Sequence, residues 1–200
     1  MSEKGYATVT LTGYILKLKH QSLFINSGIW KRRKITTPPS LQLRPTMGHV
    51  RETIFSWIRE QIPTSRCIDL YAGTGILGLE ALSQGAEWVN FVEINTSLAK
   101  HIEQTLDQLD CQQAKVWTQS AKSFIDQVDW QSIEIVFLDP PYDTGEMIKI
   151  IQQLSQSPLK NGTLIVMEWS KNESITFPSD WNVLKIKTTK RLHFGVIEKR

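Results

Sequence analysis

Cys67-Ile68-Asp69-Leu70-Tyr71-Ala72-Gly73-Thr74-Gly75-Ile76-Leu77-Gly78, residues 67–78, decides the fold. Residues 67–71 read as a short apolar strand and residues 76–84 as a helix, with a glycine turn between them. Gly73 and Gly75 suit that turn because a side chain there would block both the tight bend and the close approach of a ligand. A strand, a glycine turn and a helix in that order begin a parallel α/β unit.

Downstream the same alternation continues. Strands are predicted at 88–94, 114–118, 133–139 and 163–169, and helices at 96–109, 120–128 and 145–155. The runs IEIVFLD and TLIVMEW are the most apolar, as expected of central strands buried on both faces. Residues 182–188 and 192–198 predict a closing antiparallel hairpin. The expected architecture is a mostly parallel, doubly wound sheet of seven strands with an antiparallel C-terminal hairpin.

Upstream, residues 6–11 and 14–19 predict a hairpin turning at Thr12-Gly13, and Leu23-Phe24-Ile25 runs into a turn at Asn26-Ser27-Gly28. Residues 36–43, with Pro38-Pro39, read as an extended linker. Thr46 is placed to cap an amphipathic helix over 47–61, on which Val50, Ile54, Phe55 and Ile58 recur at helical spacing, and Pro63 closes it. Two parts are expected: a basic N-terminal extension over 1–45 and a catalytic domain over 46–200.

Composition narrows the class. Hydrophobic residues make up 40% and charged residues 22%, ordinary values for a globular domain. No apolar run approaches the roughly 20 residues of a membrane helix, and the first ten residues are polar, so a cytoplasmic protein is expected; a monomer is expected too. Cys67 and Cys111 have no Cys or His at metal-ligand spacing; they read as small buried hydrophobes, and no metal site is expected. The net charge of +3 is unevenly spread: residues 1–60 hold ten Lys/Arg against three Asp/Glu, residues 61–200 thirteen against seventeen. That asymmetry suits a polyanion gripped by the N-terminal part, although a solvated lysine-rich surface would have the same composition.

Two acids flank the glycine turn. Asp69 ends the first strand, where a pyrophosphate would be repelled and a sulfonium bearing an amino-acid ammonium favoured. Glu93, at the end of the next strand, is suited to two ribose hydroxyls.

The apolar strand over 133–139 then leads into Asp139-Pro140-Pro141-Tyr142. Two prolines end the strand and stiffen it, holding the Asp139 carboxylate and the Pro140 carbonyl as two acceptors facing one point. An exocyclic base amine offers two N–H donors, so two fixed acceptors can turn its lone pair toward a methyl group while Tyr142 stacks on the base. Alone, the tetrapeptide would read as an ordinary turn. Three strands downstream of a glycine loop, at the carboxyl end of the sheet, it reads as a site.

With these blocks in view the chain resembles the bacterial 16S rRNA guanine-N2 methyltransferases of the D type, which modify guanine 966 of the small-subunit RNA. Four blocks carry the resemblance: Gly28-Ile29-Trp30-Lys31-Arg32-Arg33, Leu43-Arg44-Pro45-Thr46 with Val50-Arg51-Glu52, Asp69 through Leu82, and Asp139 through Tyr142. It extends from about Leu23 to the C-terminus, and the second block is the most discriminating. The resemblance implies a Rossmann-like fold, S-adenosylmethionine as donor, and 16S rRNA in the small subunit or an assembly intermediate as partner. The implied donor-binding set is Asp69, Tyr71, Ala72, Gly73, Thr74, Gly75, Glu93, Ile94, Ser120, Ala121 and Asp139; the catalytic set is Asp139, Pro140, Pro141 and Tyr142. This chain departs from the family pattern at Ser27-Gly28, where two glycines are usual. It departs also at Met47-Gly48-His49, where Thr-Asp-Arg is frequent, and at Ser120, where Asp or Asn commonly meets the adenine amine.

Trp30, Lys31, Arg32, Arg33 and Lys34 read as phosphate contacts beside a stacking aromatic, or else as a charged strand edge that resists aggregation. Arg44 and Arg51 read equally as RNA contacts or as braces paired with Glu52 and the Asp69 region. Two other functions are compatible with the motifs: methylation of adenine N6 in DNA, disfavoured by the lack of room for a target-recognition domain, and a silent RNA-binding assembly factor, disfavoured by the intact glycine loop and Asp-Pro-Pro-Tyr.

Overall fold

The computed structural model describes residues 7–11, 14–18, 22–36 and 48–200; for 7–11, 14–18 and Ser22 it describes the backbone. The Thr12-Gly13 turn, the linker over 37–43, Arg44 and the Thr46 cap lie outside the described residues.

The N-terminal part is two small ribbons. β1 (Ala7–Leu11) pairs antiparallel with β2 (Tyr14–Leu18), as the sequence predicts. β3 (Ser22–Phe24) pairs antiparallel with β4 (Lys34–Thr36), a strand the cation run concealed. α1 (Gly48–Trp57) is shorter than its apolar spacing suggested, because residues 58–65 continue as hydrogen-bonded turns that still bury Ile58 and Ile62. Pro63 has no N–H to extend a helix, and Thr64 takes a left-handed φ of 65°.

The body follows the predicted alternation: β5 (Arg66–Asp69), α2 (Ile76–Ser83), β6 (Trp88–Val92), α3 (Thr96–Gln108), β7 (Ala114–Trp117) and α4 (Ala121–Ile125). After a 3-10 turn at Trp130–Ser132 come β8 (Ile135–Leu138), α5 (Glu146–Gln156), β9 (Leu164–Ser170), β10 (Trp181–Thr188) and β11 (Leu192–Lys199). The strands form one sheet in the order β10-β11-β9-β8-β5-β6-β7, with β11 inserted antiparallel between β9 and β10 and the rest parallel. This is the Rossmann-like methyltransferase fold. Every residue of β8 and β9 is buried, which explains their continuous apolar runs.

Alternating residues feed two core layers. Phe91, Phe137, Val166 and Phe194 meet α1, α2 and α3 on one face, while Val136, Leu138 and Met167 meet α4 and α5 on the other. The chain winds from β5 outward to β7, then crosses back to β8. The crevice therefore opens at the carboxyl ends of β5 and β8, where winding reverses.

Cys67 and Cys111 are buried free thiols. Burial pushes the Cys67 thiol up to about 12, so it is inert at neutral pH. No helix among the described residues is long and apolar enough to cross a membrane.

Candidate active site

Three strand ends build the site. At the first, the glycine turn is fixed from both sides. Asp69 is buried, and its carboxylate accepts the Gly78 N–H at 3.0 Å, tying the end of β5 to the first turn of α2. Gly73 and Gly75 adopt left-handed φ of 53° and 76°, and Gly75 N–H closes the turn onto Ala72 O at 2.6 Å. At the second strand end, Glu93 spans two loops: one carboxylate oxygen accepts the Gly73 N–H and the other the Asn95 N–H, each at 2.8 Å. Asn95 in turn caps α3 by accepting from Ser97 and Leu98. At the third, Asp139 follows β8, and its carboxylate accepts the Tyr142 hydroxyl at 3.0 Å.

These ends enclose a single cavity of about 790 Å³. Of the predicted donor-binding residues, Tyr71, Gly73, Glu93, Ile94, Ser120, Ala121 and Asp139 line it, as do Pro140, Pro141 and Tyr142. Asp69, Ala72, Thr74 and Gly75 stand behind the wall, where they shape the turn. Asp69 is thus a brace whose charge acts through the turn. Its carboxyl is pushed up to about 7, chiefly by burial and further by Asp139 and Glu93, against the lowering effect of the Gly78 N–H.

The Ser120 hydroxyl, expected at the base of a nucleoside, caps α4 by accepting from Ser123 N–H at 3.1 Å. Sequence reasoning missed Leu98, Gln119, Lys122, Thr144 and Glu146, which also line the cavity. Glu146 accepts the Tyr71 hydroxyl at 3.1 Å across 75 positions of sequence, a pairing that no local signal carries. Burial and Glu146 together raise the Tyr71 phenol above its usual range. Gln119 presents a buried amide nitrogen with no partner among the described residues, while its oxygen accepts from Gln127 at 3.1 Å.

The basic run sits elsewhere. Residues 27–30 are clipped to Ser83, the last residue of α2: Ile29 N–H donates to Ser83 O at 2.8 Å, Trp30 N–H to Ser83 Oγ at 2.9 Å, and Ser83 Oγ to Ser27 O at 2.5 Å. Gly28 is required there, since with its φ of 79° a Cβ would lie 1.7 Å from Ser83 O. Trp30 packs against the core, while Lys31, Arg32, Arg33 and Lys34 are exposed. They stand at the opposite end of α2 from the glycine turn, roughly 12 Å away by helix rise.

Of the two readings of Arg51, RNA contact and brace, its burial is against the first. Its guanidinium is buried, donating to Glu80 at 3.0 Å, Phe24 O at 2.6 Å and Asn26 Oδ1 at 3.1 Å. It is a brace, and its carboxylate partner is Glu80, which the sequence reading did not single out.

A doubly wound sheet with an acid-lined cavity ending at Asp-Pro-Pro-Tyr defines a methyltransferase. The chain belongs to the family described as Conserved hypothetical protein 95, whose model matches residues 23–197. Proteins similar to this chain include several named ribosomal RNA small subunit methyltransferase D. One from Haemophilus influenzae is 38% identical over 169 residues, covering 82% of this chain and 88% of the relative. One from Escherichia coli K12 is 32% identical over 177 residues, covering 88% and 89%. A solved Escherichia coli structure assigned as a methyltransferase superposes with a TM-score of 0.79 at 29% identity, covering 90% of this chain and 99% of that one. A Haemophilus influenzae structure assigned as a methylase gives 0.77 at 32%, with the same coverage.

Proposed function

We propose that this protein transfers a methyl group from S-adenosylmethionine to the exocyclic N2 amine of a guanine in 16S rRNA of the small ribosomal subunit. The observation that carries the reading is the continuity of one cavity from Glu93 and Gly73 to Asp139 and Tyr142, which puts a nucleoside-sized seat beside a pair of acceptors. The relatives named as small-subunit rRNA methyltransferases support the RNA substrate.

The residues present fit the donor. Glu93, Asp139 and Glu146 line the cavity and Asp69 lies just behind it, an acidic wall suited to a cation and hostile to a pyrophosphate. Asp139 and Glu93 also add to the upward push that burial gives the Asp69 carboxyl, as acids crowded round one seat would. Glu93, held by two backbone donors, keeps lone pairs for ribose hydroxyls. Ile94, 71% exposed despite its apolar side chain, would cover one face of the adenine, and the Gln119 amide nitrogen would donate to a ring nitrogen. When bound, the donor supplies an electrophilic methyl carbon on a sulfonium.

The chain itself supplies orientation. The Asp139 carboxylate and Pro140 carbonyl accept the two N–H bonds of the amine, directing its lone pair into the cavity. Tyr142 stacks on the base while its hydroxyl steadies Asp139. Asp139 is also placed to take the proton that the nitrogen sheds once methylated. Such positioning supplies most of the acceleration for a displacement that needs no covalent enzyme intermediate.

The test is tritium transfer from labelled S-adenosylmethionine to undermethylated small subunits, naked 16S rRNA and duplex DNA, followed by nucleoside analysis. N2-methylguanosine in the RNA is the expected product. Label recovered as N6-methyladenine in DNA would replace this reading.

A further inference from the structure

Charge counting assigns the body of the chain a negative balance, yet residues 181–197 contain Lys185, Lys187, Lys190 and Arg191 and no acid. The fold concentrates this cationic stretch at the reactive end of the sheet. β10 and β11 meet at Thr188↔His193, and the start of β11 pairs Leu192 with Ser170 at the carboxyl end of β9. β9 in turn flanks β8, with Leu138 opposite Met167, so the β10–β11 turn rises on the same edge as Asp139. With strands about 4.8 Å apart and a rise of about 3.3 Å per residue, Lys171 and Arg191 fall within roughly 15 Å of Asp139.

The turn is rigidly built. Thr189 Oγ1 accepts the N–H groups of Arg191 at 3.3 Å and Leu192 at 3.1 Å, and Thr189 N–H donates to Leu192 O at 2.8 Å. Lys171 N–H donates to Arg191 O at 3.1 Å, fastening the exit of β9 to the turn. The loop after β9 reaches back to the loop after Tyr142 through Gly145 N–H and Glu173, at 3.4 Å. Lys171, Lys187, Lys190 and Arg191 are all exposed, and none forms a salt bridge among the described residues. Below them, Lys185 and Lys187 extend over the Trp57 ring, their ammonium groups 5.7 and 5.5 Å from its centroid.

We infer that Lys171, Lys190 and Arg191 form a phosphate grip for the single-stranded RNA flanking the methylated base. This rests on RNA being the substrate, as proposed above. A base drawn out to Asp139 leaves its neighbouring phosphates at the rim of the cavity. Cations on a stiff turn meet them there without the ordering cost of a mobile loop. The exposed run over residues 31–34 is clipped instead beside Ser83, at the end of α2 opposite the glycine turn.

The experiment compares the parent with Lys171→Gln/Lys190→Gln/Arg191→Gln, and with Lys190→Gln alone, by filter binding of naked 16S rRNA across a salt series and by steady-state methyl transfer. For the triple variant, the slope of log K against log salt should fall by about 2–3 and KM for RNA should rise about tenfold or more, with kcat unchanged. Lys190→Gln alone should lower the slope by about one. Unaltered S-adenosylmethionine affinity and melting temperature establish that both variants are folded. A slope and KM equal to the parent's in the triple variant overturn the grip and leave the proposed reaction standing. If the parent itself transfers no methyl to RNA, the reaction fails, and the salt slope on the same RNA still decides the grip.

Discussion

The Tyr142 hydroxyl donates to the Asp139 carboxylate at 3.0 Å, so the aromatic ring expected to stack on the base also fixes the acceptor expected to bind its amine. Removing either role alone should have separate signatures. Tyr142→Phe keeps the ring and loses the hydrogen bond; a bond to a charged group is worth about 1.5–3 kcal/mol, so kcat should fall roughly tenfold or more while KM for RNA stays within about twofold. Tyr142→Ala should raise KM as well, since stacking contributes about 1–3 kcal/mol per base. Steady-state kinetics on undermethylated subunits separates the two, and a Phe variant as fast as the parent would remove the hydroxyl from the mechanism.

Asp69 makes stability depend on pH in an unusual direction. Its carboxyl is raised from 3.8 to about 7 in the folded protein, so between those values the native state holds a proton that the unfolded chain has released. The contribution is fully present below pH ~4 and is lost as pH rises through about 7; at full value it is on the order of 4 kcal/mol. Asp69→Asn keeps an oxygen for the Gly78 N–H and removes the titration. Urea unfolding from pH 4 to 8 should show stability falling with pH in the parent and no such slope in the variant. Parallel curves would mean that Asp69 is ionised throughout.

Much of this was legible in the sequence because the decisive features are local. The glycine turn, the acids at the ends of β5 and β6, and Asp139-Pro140-Pro141-Tyr142 each lie within a few residues of a strand end, and the mostly parallel architecture followed from the alternation of strands and helices. What stayed hidden required distant partners. Glu146 reaches Tyr71 only after α5 packs beside the crevice, and Arg51 could not be told from a surface cation until Glu80 was seen beneath it. The basic run over 31–34 was conspicuous as sequence, but Ser83 holds its loop at the far end of α2. The more diffuse cations of the β10–β11 turn stand on the carboxyl edge of the sheet, the edge that carries Asp139.

The buried Arg51–Glu80 pair gives a prediction about folding. Burial raises the Glu80 carboxyl, opposed by the Asn26 N–H and by Arg51. Arg51→Ala would strand that carboxylate with its guanidinium gone, at a cost of about 3–5 kcal/mol, whereas Arg51→Met/Glu80→Leu should recover much of the loss. Chemical denaturation of the three proteins measures this. A surface role in RNA binding would instead give a single variant of parental stability with a shallower salt dependence.

Glu93 supplies the most direct test of the donor seat, because its two oxygens face two N–H groups at once. Glu93→Gln preserves size but must turn its amide nitrogen toward either Gly73 N–H or Asn95 N–H, opposing two donors at 2.8 Å. An unsatisfied backbone donor costs about 1–3 kcal/mol, and the ribose loses its charged acceptor. S-adenosylmethionine affinity measured by calorimetry should therefore fall at least tenfold, while binding of 16S rRNA at fixed salt stays within about twofold, since Glu93 lies inside the cavity and away from the cationic rim. Loss of both together, with a lowered melting temperature, would place Glu93 in the scaffold of the glycine turn and leave the ribose to other groups.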